Sequence, residues 1–151
     1  MRVVFLTLAA LLAISAQARA STGFSCRADD AAMKFVIEGA YGRSIGMGVG
    51  NFGGEVEIKL KGAPDDARKL KLEMSHLTQN WFLGRDLKLT VHWLKEGDGP
   101  SPEVVLIIET RRGKPEESPY RGTYVLKVFS PQSTDGRPRE ANGRVDCSIS
   151  E

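Results

Sequence analysis

Leu87-Lys88-Leu89-Thr90-Val91-His92-Trp93 puts Leu87, Leu89, Val91 and Trp93 on one side of an extended chain and Lys88, Thr90 and His92 on the other. An apolar period of two is the signature of a strand with one face in a core and one in water. The same period recurs upstream, where Leu70, Leu72 and Met74 alternate with Lys71 and Glu73, and Val56, Ile58 and Leu60 alternate with Glu55, Glu57, Lys59 and Lys61. Residues 104–110 are apolar on both faces for most of their length, which predicts a central strand covered on each side. Further strands are expected over residues 24–27, 33–38, 44–49, 124–129 and 145–149.

Turn-forming runs separate these segments: Gly62-Ala63-Pro64-Asp65-Asp66, Glu96-Gly97-Asp98-Gly99-Pro100, Arg112-Gly113-Lys114-Pro115 and Asp135-Gly136-Arg137-Pro138. No segment carries a long 3.6-residue apolar stripe, so helix is limited to single turns at residues 29–33 and 64–69. The pattern predicts an all-β fold, a single antiparallel β-sandwich or a small up-and-down barrel of about eight strands.

The chain has two cysteines, Cys26 in the first expected strand and Cys147 in the last. Residues 1–20 read as a cleaved secretory signal. Arg2 supplies the positive start, residues 3–14 the apolar stretch, and Ala18-Arg19-Ala20 the small-residue cleavage site before Ser21. The apolar stretch is shorter than the roughly 20 residues a membrane-spanning helix needs. Residues 21–151 are then a single β domain with a periplasmic or secreted location and no stable membrane anchor. In such a compartment Cys26 and Cys147 are expected to form a disulfide between adjacent terminal strands. Cys147 alternates with Val145 and Ile149, so its sulfur should point inward.

The chain has 21 Lys and Arg against 19 Asp and Glu, a formal charge of +2. Arg2 and Arg19 account for that excess, so the domain beyond the leader is formally neutral, which argues against a nucleic-acid partner.

Glycines cluster over residues 46–54, and Gly46, Gly48 and Gly50 would lie on one face of a strand. A strand follows them, not a helix, so this is no phosphate-binding loop. The bare face implies strand curvature with an aromatic packed over it, or a surface on which a ligand lies. Residues 75–86, with His76, Trp81 and Phe82, exceed what a tight hairpin needs. They are expected either to plug one end of the fold or to project as a loop whose aromatics anchor a partner. Arg111 and Arg112, with Lys114, Arg121, Arg137 and Arg139, would form a cationic rim if their loops met at one end.

Catalytic signals are sparse. The two histidines, His76 and His92, lack the spacing of a metal site, and no nucleophile elbow is present. Glu109 extends an apolar strand, and Asp29-Asp30, Asp65-Asp66 and Glu116-Glu117 are adjacent carboxylates in turns. No cofactor and no metal are expected. These features favour an exported, non-enzymatic binding or interaction module that recognises another envelope protein or inhibits a periplasmic enzyme. The alternative is a carrier of a small apolar ligand in a barrel interior lined by Met74, Trp93 and Ile108. An enzyme with an unrecognised acid–base pair is the third reading.

Overall fold

The computed structural model describes residues 22–42, 48–114, 119–133 and 136–150. Residues 1–20, expected to be a leader, and most of the strand expected at 44–49 lie outside them, as does Gly46. The described residues form nine strands: β1 (Thr22–Asp29), β2 (Met33–Tyr41), β3 (Val49–Ile58), β4 (Lys69–Leu72), β5 (Leu77–Leu83), β6 (Asp86–Leu94), β7 (Glu103–Arg112), β8 (Tyr120–Phe129) and β9 (Arg139–Ser150). Helix among them is limited to two 3-10 turns, Asp65–Ala67 and Met74–His76.

All nine strands belong to one antiparallel sheet in the order β4-β3-β2-β1-β9-β8-β7-β6-β5, curled into a half-barrel. The fold is therefore all-β, as the alternation requires, in nine strands against about eight expected. The run expected at 44–49 enters the described strands only through Val49 of β3, and the strand not expected is β5, in the segment expected to be a plug or a projecting loop. Its alternation is broken by a bulge between Leu77 and Gln79, which hides the strand period.

The concave face carries the core. Phe24 and Cys26 on β1, Phe35 and Ile37 on β2, Leu87 and Leu89 on β6, Leu106 and Ile108 on β7, and Tyr124 and Leu126 on β8 are all buried. Each fully buried aliphatic or aromatic side chain contributes about 1.5–3 kcal/mol. The convex face is wet, and β7 departs from expectation there. Val105 and Ile107 are only half-covered and Glu109 is exposed, because no second layer packs on that side among the described residues.

Cys26 pairs directly with Cys147 across β1 and β9, and the two are joined by a disulfide at 0% and 2% exposure. The bridge closes a sequence separation of 121 residues. In the chain-entropy model that is worth about 4–5 kcal/mol. The terminal strands are adjacent, as expected, but they form the middle of the sheet. The two edges are β4 and β5, which are neighbours in sequence.

Aromatic packing over glycine also occurs, at positions other than the ones expected. A Cβ at Gly39 would meet the Phe24 ring at 2.6 Å, and one at Gly143 would meet the Tyr124 ring at 2.5 Å. Around Gly48 and Gly50 the same space is open.

Candidate functional site

The unusual region is the seam where the sheet edges meet. β4 is antiparallel to β3, and β5 is antiparallel to β6. Alternation round the sheet gives β4 and β5 the same direction. β4 pairs with residues 54–57 of β3 and leaves residues 49–53 unpaired on that side. The chain then crosses through the Met74–His76 turn, which touches both β3 and β6, and continues as β5 along residues 86–91 of β6.

Three contacts hold the crossing. His76 Nδ1 accepts a hydrogen bond from the Glu73 amide at 2.9 Å, and the Glu73 side chain accepts from the His76 amide. This capping box fixes the turn, so His76 has a local structural role. Lys95 Nζ lies 2.6 Å from Asp66 Oδ2, tying the end of β6 to the turn before β4 and holding the Asp66 carboxyl below its usual range. At the opposite end, Phe82 of β5 stacks on Tyr41 of β2 with centroids 4.7 Å apart. Phe24 and Tyr120 flank this pair at 5.4 and 6.2 Å. The Tyr41 hydroxyl is buried with no hydrogen-bonding partner among the described residues, and burial pushes its pKa up.

The aromatic pair singled out in the sequence is thereby divided. Phe82 points into the core. Trp81 points out beside Lys88 of β6 and is 53% exposed. Two residues on and on the same face, Leu83 is 66% exposed. Asn80 lies opposite buried Leu89, on the inward face, yet is itself exposed. The seam is therefore open beside β5. Gly48 and Gly50 belong to the facing side of that opening, at the start of β3, where Tyr41 pairs with Val49. Leu83, Asn80 and Tyr41 are the site residues that pattern reading missed. The uncharged composition of residues 77–83 was the available signal.

The cationic rim does not assemble. Arg111 and Arg112 lie at the end of β7 and Arg121 near the start of β8, whereas Arg137 and Arg139 lie by the start of β9, at the opposite end of the sheet. Arg111 projects outward with Nε 3.5 Å from Asp86, and Arg121 lies 3.4 Å from Asp146. The Arg112 guanidinium is turned over the Tyr120 ring at 5.6 Å, and its carbonyl accepts from Arg85.

The acid candidates have structural partners. Glu109 is exposed and lies 3.0 Å from Lys88. Asp29 is bridged by Lys59 at 2.6 Å and Lys34 at 3.5 Å, and the Lys59 hydrogen bond holds its carboxyl below the usual range. Asp30 accepts from the Ala32 and Met33 amides and from the Tyr124 hydroxyl at 2.6 Å. His92 Nε2 lies 2.9 Å from Glu103 on the outer face. Glu116 and Glu117 lie outside the described residues.

The three residues expected to line a ligand cavity do not share one. Met74 is exposed, Trp93 half-buried and Ile108 fully buried. Two concavities among the described residues open on the outer face. One of about 840 Å³ lies over β2–β4 beside Lys34, Glu38 and Glu55, and one of about 880 Å³ lies beside Trp81, Lys88 and Ile107. No helix among the described residues is long and apolar enough to cross a membrane. No family model, curated protein or solved structure matches this chain.

Proposed function

We propose that this chain is an exported, non-enzymatic interaction module that recognises a protein through the outer side of its seam. The observation that carries the reading is Trp81 with Leu83, large apolar side chains standing exposed on a strand whose far edge has no partner strand among the described residues. Exposed aromatics of this kind are the usual anchors of protein interfaces, because they bury much area for little lost rotamer freedom. The concavity beside Trp81 adds a receiving surface, and the disulfide suits an oxidising compartment. We read the sheet as an up-and-down barrel left open at the seam, with β4 against residues 54–57 of β3 and the edge of β5 free beside residues 49–53. A carrier role has less support, since large side chains fill the concave face.

The test is comparative capture from the envelope fraction of the source cells, followed by native mass spectrometry. Trp81→Ala should unfold within about 0.5 kcal/mol of the parent, as exposed substitutions do, and should lose a stoichiometric partner that the parent retains. A folded Trp81→Ala protein that keeps every partner contact overturns the reading. The captured protein should also begin at Ser21; a retained leader overturns the export component.

A further inference from the structure

We infer that the partner at this seam is a second copy of the chain, added edge to edge so that β5 pairs antiparallel with β5 of the other copy. The inference rests on the reading of the seam as a recognition surface and names its occupant.

An unpaired edge displays backbone N–H and C=O groups, and an extended chain is what satisfies them. Natural edges are normally guarded by charge, proline or shortness. β4 is guarded twice, being four residues long with Lys69 and Lys71 pointing outward. β5 has no such guard: its seven residues, Leu77-Thr78-Gln79-Asn80-Trp81-Phe82-Leu83, carry neither charge nor proline.

That asymmetry selects a two-fold pair. In a two-fold antiparallel pairing the central residue of the edge faces its own copy, so a charge there would sit against itself, and a charge elsewhere would sit over the other copy's uncharged side chains. An uncharged edge avoids this cost. Head-to-tail pairing of β5 with β4 would extend without limit, and the lysines of β4 oppose it. Pairing of β5 with β5 closes at two copies. The formal neutrality of the chain beyond residue 20 removes long-range repulsion between copies.

Register follows from the faces. Centring the two-fold on Trp81 sets Trp81 against Trp81, Leu83 against Gln79 and Phe82 against Asn80. Each match keeps outward residues with outward and inward with inward, as the pairing of β5 with β6 defines them. It covers Trp81 and Leu83 of both copies and gives exposed Asn80 a neighbour. Lys88, beside Trp81, is already paired with Glu109 at 3.0 Å, so it brings no unbalanced charge to the contact.

Sedimentation velocity of the oxidised protein freed of residues 1–20, from about 1 to 200 μM, tests the inference; a dimer is expected to form across that range. Trp81→Lys, which sets two like charges directly against each other at the two-fold, should raise the dissociation constant at least about 30-fold, an effect of the order of 2 kcal/mol. Circular dichroism should show its fold unchanged. Lys71→Gln on β4 should leave dimerisation as it was. Amide exchange within residues 77–83 should slow with concentration in the parent only. A protein monomeric throughout the range, or a Trp81→Lys dimer as tight as the parent, overturns the inference. A monomer whose Trp81 still determines capture of a different protein leaves the interaction-module reading standing. A monomer without such capture removes both.

Discussion

Asp30 shows how much structure one carboxylate organises. Burial alone would raise its pKa, but hydrogen bonds from Tyr124 and from the Met33 and Ala32 amides outweigh that and hold it below the usual range. Tyr124 is pushed up in turn, by burial first and then by the Asp30 carboxylate. A carboxyl whose folded pKa is depressed adds stability above its unfolded value, near pH 4, and the gain disappears as pH falls through the lower folded value. Tyr124→Phe removes the donor and should cost about 1–3 kcal/mol at neutral pH in urea unfolding. The difference from the parent should shrink as pH drops below about 4, where the unfolded-state carboxyl becomes protonated. A cost that stayed constant down to pH 2 would mean that the hydroxyl acts through packing alone. Gly143, under the Tyr124 ring, shows why such contacts escape pattern reading. Glycine, tyrosine and aspartate are apart in sequence and meet only through the β8–β9 and β1–β9 pairings together.

Single strands differ in how openly the sequence announces them. β6 keeps perfect alternation and was legible from Leu87 to Trp93. β5 was not, because its bulge shifts the period and because Gln79, Asn80 and Trp81 are all exposed, so no buried stripe marks it. The glycines at 48 and 50 were legible as a bare face, but only the fold shows that no aromatic covers them. Gly122 is a clearer structural glycine. A Cβ there would collide with the Glu109 carbonyl, backbone that cannot swing aside as a side chain does. Gly122→Ala should therefore cost about 3 kcal/mol by overpacking. The check is a lower urea midpoint, with amide protection lost first where β7 and β8 pair around Thr110. A midpoint unchanged from the parent would show that the strands part at no cost.

For the whole molecule, the all-β class and the disulfide were legible because alternation and cysteine placement are local signals. Where the sheet opens was not, because that depends on which strands pair. The terminal strands hold its centre, so the start of β1 and the end of β9 lie side by side, with Gly23 opposite Ser150. Read from β5 round to β9 and on through β1 to β4, every strand neighbours its successor. A circular permutant that starts at residue 73, ends at residue 72 and joins the old termini by a short hairpin linker would thus become a pure meander. It would retain every native strand pair and replace the longest-range pairing with a local one. Mean sequence separation of contacts falls, and loop-closure entropy falls with it. With both proteins reduced, the permutant should refold faster than the parent in stopped-flow measurements. Equal rates would place the β1–β9 pairing after the rate-limiting step. In the natural strand order the first and last strands meet mid-sheet, so their pairing carries the largest loop-closure cost, and the disulfide then locks that pair covalently.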